Sequence, residues 1–541
     1  MPPRATLWRD LAMLTVVALA VRSLAAWLVP FPPHVDAAYY TMVGEQLAIG
    51  NGFTAPAIWS FLEVGGRLPS EPRLPVPSNG HWMPLPAIVA AAGMSIFGPD
   101  WRAGQVPMVL LSTALVPMTY VGGILGWRSR RTAMLGALLA IPAGPLLLMY
   151  PLVESFAVFG VVGGAALLSS LRAVDAERPG LWLVLAGAFV GLAALTRIDG
   201  VILALAPATV WMLRRPWAMT GRDRTSALAW GFASATAFAV ILSPWLLRNL
   251  DVFGTAFPSP GGRLLWIRDY NEHLSISLDL TVSRYLEWGP VPILASKLNA
   301  LVEVVGRSLG LFGGQFGLTF VAGLWRYGRE RRHLPFTVYF GVMFLAMVLL
   351  FTEHAPKGAY LHTAPAWLPI ALPMAVAGVG PLASGAGRWW RFLRRPATHR
   401  FLEVAGLIGA VVLAVAGALT LLLQWDVRLD RHQAAARYLA AEATSSDVLL
   451  SADPSSLFLL TGLRGVPTSF DPYAVIGEVV EAYGVDWVVV TLDGDATVDP
   501  LGLWNGSSAV DVTGASPAFL PDEPAFEVDG VRIYEVRADA E

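Results

Sequence analysis

The chain has 541 residues, of which 55% are hydrophobic and 14% charged, and its formal net charge is −2. A soluble domain carries about 25% charge, so these figures, with a mean hydropathy of +0.55, argue against a soluble enzyme, a nucleic-acid-binding protein or a disordered chain. The absence of cysteine excludes disulfides, thiolate metal sites and a cysteine nucleophile.

A membrane span needs about 20 mostly apolar residues. The sequence offers eleven such segments, at 10–30, 103–126, 132–150, 151–173, 181–196, 198–213, 225–247, 308–325, 335–352, 363–381 and 402–424. Pro142, Pro145 and Pro151 interrupt 132–173, which therefore reads as a hairpin of two helices. Segment 84–98 has only 15 residues and reads as interfacial or re-entrant. Segment 284–307 mixes Arg284, Lys297, Glu303 and Arg307 with apolar residues and reads as an amphipathic surface helix. The expectation is an α-helical polytopic module over 1–424, with outer loops 31–102 and 248–307. Residues 425–541 carry near-normal charge and strand-like runs at 447–452, 485–493 and 531–536, with a helical pattern at 431–443. They read as a soluble α/β domain outside the membrane.

Orientation follows from the arginines. Of 38 basic residues only Lys297 and Lys357 are lysine, and 20 fall in six short segments: 1–9, 127–131, 172–180, 214–224, 326–333 and 388–400. With eleven spans all six lie on one side, which the positive-inside rule assigns to the cytoplasm. That predicts a multi-pass protein of the cytoplasmic membrane with a cytoplasmic N-terminus and an extracytoplasmic C-terminal domain.

The first outer loop opens FPPHVDAAYYTMVGEQLAIGNGF (31–53). Asp36 begins a helical run there, and it suits either an N-cap or a general base at the membrane surface. Glu154 follows a Tyr-Pro break, where a carboxylate in lipid calls for a cavity or a partner such as Arg197. Arg197 and Asp199 share a short break between two helices. They suit either a mutual pair or a guanidinium facing phosphate. Arg248 and Asn249 stand where the seventh span exits, and Lys357, Tyr360 and His362 form a short outer loop. His34, Glu63 and His81 share the first loop with no compact metal-binding spacing, which leaves a divalent cation there as an open option. No Walker loop, dinucleotide fingerprint or G-x-S-x-G elbow occurs.

The first-loop motif, with HWMPLPAIVAAAGMSIFG (81–98), YPLVES (150–155), LTRIDG (195–200), PWLLRNLDVFG (244–254), GAYLHTAPAWLPI (358–370) and SADPSSLFLLTG (451–462), resembles the integral-membrane GT-C glycosyltransferases. The bacterial protein O-mannosyltransferase and aminoarabinose transferase relatives are the most similar. The resemblance implies transfer of a sugar from a polyprenyl-phosphate carrier to a lipid, glycan or protein acceptor on the outer face, with inversion. It implies Asp36 as base; Glu154, at the outer end on the topology above, reads as a second catalytic carboxylate that binds the acceptor or orients the sugar. Arg197, Arg248, Lys357, Tyr360 and His362 would lie toward the donor phosphate, and Glu63, His81, Asp199 and Asn249 toward the acceptor or elsewhere in the outer loops. Many protein mannosyltransferases carry a second acid directly after the aspartate, where this chain has Ala37; that weighs against a protein acceptor. The rival reading is a multi-span lipid or glycan transporter without transferase activity.

Overall fold

The computed structural model describes residues 3–352, 358–492, 501 and 517–537. Helix α1 (Arg4–Leu28) leads to α2 (Val35–Ala48), a short hairpin of β1 (Thr54–Ala55) and β2 (Val76–Pro77), and α3 (Leu85–Phe97). Then come α4 (Trp101–Trp127), α5 (Arg130–Ala140), the single turn α6 (Leu146–Met149), α7 (Ser155–Asp175) and α8 (Gly180–Thr196). A 3-10 stretch (Ile198–Ala204) precedes α9 (Leu205–Leu213), and α10 (Gly221–Phe253) follows. After the second long loop, with α11 (Val282–Glu287), the chain forms α12 (Pro290–Leu311), α13 (Gln315–Tyr327), α14 (Leu334–Leu349), α15 (Tyr360–Ala386) and α16 (Pro396–Glu442).

Among the described residues, six helices are long and apolar enough to cross a membrane: α1, α4, α7, α10, α15 and α16. This is a multi-pass membrane protein, and exposed Val16, Leu24, Phe232, Val240, Ile408 and Leu423 make up part of its lipid-facing surface. Three expected spans take another form. Residues 132–150 divide into α5 and α6, because Pro142 and Pro145 remove backbone donors and Gly144 turns at φ +57. A side chain at Gly144 would meet the Gly310 carbonyl oxygen at 2.2 Å. Residues 198–213 are half 3-10 and half α-helix. The expected span 308–325 is a sharp corner: α12 meets α13 at 104°. Helix α12 therefore lies across the bundle direction, with Val291, Leu294, Leu298, Val302 and Val305 exposed along it, as an amphipathic surface helix should.

Ion pairs and carbonyl contacts gather the six arginine-rich segments at one end. Arg130 forks onto Asp10 at 2.6 and 2.8 Å, Arg131 pairs with Glu403 and Arg332 with Asp175. Arg214 donates to the carbonyls of Ala173, Val174 and Ala176. Helices α1 and α4 are antiparallel: Tyr120 reaches Asp10 at 2.8 Å, while Trp101 Nε1 donates to the Val29 carbonyl at 3.0 Å. Both ends of the first loop thus stand at the far end of the bundle, so α3 does not cross it.

The C-terminal sheet has the order β4-β3-β5-β7-β6. It is built from β3 (Val448–Ser451), β4 (Arg464–Pro467), β5 (Trp487–Thr491), β6 (Phe526–Val528) and β7 (Val531–Glu535), with α17 (Pro454–Thr461) and α18 (Tyr473–Tyr483). The β3 pairings with β4 and β5 are parallel; β7 pairs antiparallel with β5 and β6. The three expected strands match β3, β5 and β7, whereas short β4, carrying Gly465 and Pro467, gives no alternating signal. No helix break falls at the expected boundary of 424. With no Gly or Pro between Gly417 and Pro454, α16 runs through 47 residues and carries the sheet on its last turns.

Candidate active site

At the far end of the bundle a cavity of about 510 Å³ opens between the first loop, the α8–α9 break, α10, the second long loop and the start of α15. Its lining includes Asp36, Tyr40, Trp59, His81, Arg197, Asp199, Asn249, Tyr270, His273 and His362.

Helix α2 presents Asp36. Tyr39, Tyr40, Met42 and Val43 on that helix are buried, which fixes its rotation. The N-cap is His34, not Asp36, and it makes no side-chain capping bond. Asp36 stands inside the first turn, where the helix dipole favours a carboxylate. Burial nevertheless raises its carboxyl from 3.8 to about 6, with Arg197 drawing it back down.

Glu154 caps α7 in position only, without a capping bond. Both of its carboxylate oxygens are buried without a hydrogen-bond partner. Their neighbours are His34 Nε2 at 3.7 Å and His362 Nε2 at 3.6 Å. Of the partners open to it, Glu154 does not take Arg197, which forks onto Asp199 at 3.1 and 2.9 Å. His362 is fixed by Ser155 Oγ on Nδ1 at 2.9 Å and by stacking on Phe156, with centroids 4.1 Å apart. Among the described residues, Asp36, Glu154 and His362 form one group whose potential ligand atoms all lie within 4.8 Å of one another.

Other expectations part company with the geometry. Glu63 is fully buried behind the cavity wall. It accepts from the Tyr39 hydroxyl, Trp59 Nε1 at 3.3 Å and the His81 backbone at 3.1 Å. It therefore braces the first loop and does not join His34 and His81 around a metal. The His81 ring meets Ser259 of the second loop, and burial pushes it down to about 3. Arg248 lies outside the cavity lining, over the rings of Trp245, Phe253 and Phe53 at 4.7, 5.0 and 5.5 Å. Its neighbour Asn249 lines the cavity and accepts from Arg248 at 3.2 Å. Tyr360 is buried in the bundle against Ser308 at 2.7 Å. Lys357 lies outside the described residues.

Sequence reasoning passed over Tyr40, Trp59 and Trp82, a stack with Trp59 and Trp82 centroids 3.8 Å apart, and also Ser155, Ser259, Tyr270 and His273. A histidine in a long outer loop, in a chain with eight, was the signal available for His273. The Tyr39 hydroxyl also accepts from the Asn79 backbone at 2.7 Å. Tyr39→Phe should therefore strand the buried Asn79 N–H, take one bond from Glu63 and lower stability by about 1–3 kcal/mol, measurable as a shift in thermal unfolding in detergent.

No protein-family model matches the chain, and no curated protein matches it by sequence. Solved structures match it by fold. ArnT from Cupriavidus metallidurans bound to undecaprenyl phosphate superposes with TM-score 0.56 at 15% identity, covering 98% of each chain. The oligosaccharyltransferase AglB from Archaeoglobus fulgidus, in complex with an inhibitory peptide and a dolichol-phosphate, gives TM-score 0.54 at 13% identity, covering 89% of this chain and 69% of AglB. An oligosaccharyltransferase from Archaeoglobus fulgidus in complex with zinc and sulfate gives 0.53 at 14% identity, covering 89% of this chain and 67% of that one. Over nearly its whole length the chain has the fold of the ArnT structure, and over most of it that of AglB.

Proposed function

We propose that the protein transfers a sugar from a polyprenyl-phosphate carrier to a hydroxyl acceptor at the extracytoplasmic face of the cytoplasmic membrane. The end bearing the arginine-rich segments is the cytoplasmic one. The observation that carries the reading is a membrane-end cavity lined by both a carboxylate, Asp36, and a guanidinium, Arg197, in a fold shared with enzymes solved bound to polyprenyl phosphates.

The acceptor oxygen attacks the anomeric carbon as the carbon–oxygen bond to the carrier phosphate breaks. Asp36 takes the acceptor's proton. The phosphate departs with the bonding pair, and its growing charge meets Arg197, which Asp199 holds in a fixed two-pronged orientation. Base and phosphate on opposite sides of the sugar give inversion. Glu154, set between His34 and His362, orients the Asp36 side of the cleft.

The carboxylates of Asp36 and Glu154 and the imidazole of His362 also fit a divalent cation, since Glu154 has two buried unpartnered oxygens and the donor set of oxygens with one nitrogen suits zinc or manganese. A cation held there would supply positive charge beside the carboxylates. Titration calorimetry with zinc should give one site in the purified protein and none in Glu154→Gln; equal binding by both would remove the cation from this place.

The assay is to incubate the purified protein with a panel of polyprenyl-phosphate sugars and follow products by mass spectrometry. One donor should lose its sugar and release polyprenyl phosphate. Intact donors across a panel of lipid, glycan and protein acceptors would contradict transfer.

A further inference from the structure

None of the described residues from 425 onward lines the cavity, yet the C-terminal sheet is bonded to the frame that holds it. The Ile58 backbone donates to the Gly465 carbonyl at 3.0 Å and Ala57 pairs in parallel with Gly465, so the first loop extends the β4 edge. Fully buried Asp471 accepts from the hydroxyls of Ser275 and Ser277 and from the backbones of Ile276 and Ser277, at 2.9 and 3.1 Å for the latter two. That grips the second long loop two residues beyond His273. One buried apolar cluster joins Tyr40, Ile58 and Leu62 to Leu450, Ile476 and Val488.

A third link reaches the carboxylates. Asp453, the N-cap of α17, is buried and pairs with Arg428 on the extended end of α16. The other arm of Arg428 donates to the Pro33 carbonyl at 2.8 Å. Pro33 directly precedes His34, which caps α2, stands 3.7 Å from Glu154 and meets Trp425 edge-on at 6.4 Å. A guanidinium can hold two partners in fixed directions, which an ammonium cannot.

We propose that Arg428 and Asp453 are positioning residues. By fixing Pro33 and His34 they set where α2 begins, and so where the Asp36 carboxylate stands against Glu154 and the sugar. The C-terminal sheet is then part of the transfer machinery and not an appended docking module. This rests on the reading of Asp36 as base. A misplacement of about 1 Å can cost on the order of 10²-fold in rate without weakening binding elsewhere.

The experiment measures kcat, donor KM and thermal unfolding for full-length Arg428→Gln, Arg428→Lys, Asp453→Asn and Asp453→Glu. Arg428→Gln and Asp453→Asn should lower kcat by about 10- to 100-fold, with donor KM within about twofold of wild type. The double variant should lose no more than the worse single one, since both act through one chain of contacts. Asp453→Glu should recover part of the rate. Unchanged kcat in folded variants, or a raised KM at unchanged kcat, would overturn the proposal. If Arg428→Gln does not fold, Arg428→Lys carries the test, because it keeps the charge and loses the fork. If Asp36→Asn retains transfer, the base assignment fails. If that variant is dead while the Arg428 and Asp453 variants turn over as wild type, the positioning role fails.

Discussion

Asp36→Asn should lose transfer by about 10²- to 10⁴-fold, the usual contribution of a positioned general base, while the protein unfolds at or above the wild-type temperature. The two halves of this expectation have one cause. Burial raises the Asp36 carboxyl from 3.8 to about 6, so its folded value exceeds its unfolded one. Above both values the charged carboxylate is less favourable in the folded chain than in the unfolded one, and it lowers stability at neutral pH. A neutral amide of the same shape relieves that cost, against about 0.3–1 kcal/mol of lost helix-dipole attraction. His34 occupies the capping position, so no cap is lost. A purely structural aspartate would give the reverse pattern, with a lowered unfolding temperature and retained transfer in the folded fraction.

Arg197 gives the second large effect. Arg197→Gln should lower kcat by about 10²- to 10³-fold, as removal of one preorganised donor to a developing anion does. It also strands the half-buried Asp199, and leaving one partner of a hydrogen-bonded charge pair without the other costs about 1–3 kcal/mol. Chemistry and folding are separated by Arg197→Gln/Asp199→Asn, which keeps an amide pair where the ion pair was. The double variant should regain stability and remain inactive. A stable double variant with wild-type kcat would show that Arg197 serves only to neutralise Asp199.

The site residues legible in the sequence were those where position along the chain alone limits what a side chain can meet. Asp36 in the first turn of a loop helix and Glu154 directly before a span were of this kind. Rotation about a helix was not legible. Successive residues on a helix differ by about 100°, so Asn249 faces the cavity while Arg248 turns to three aromatic rings. Tyr360 and His362, two positions apart at the start of α15, likewise point apart, one into the bundle and one to the cavity. Glu63 is hidden by a partner 24 residues away, Tyr39, and no local pattern announces it. The fold was read on length and periodicity. Those signals find the long helices but miss α5, α6 and the 3-10 stretch, where Pro142, Pro145 and the Arg197–Gly200 break shorten the segments. The link from Asp453 to Pro33 spans most of the chain and emerges only when both ends are folded.

The most direct measurement is the fate of a polyprenyl-phosphate sugar in proteoliposomes containing the wild-type protein, with cleavage and translocation scored together. Sugar transfer with one polyprenyl phosphate released per product, abolished in Asp36→Asn, is the predicted result. A donor that crosses the bilayer intact, at equal rates in wild type and Asp36→Asn, would contradict a transferase and identify a transporter on the same fold.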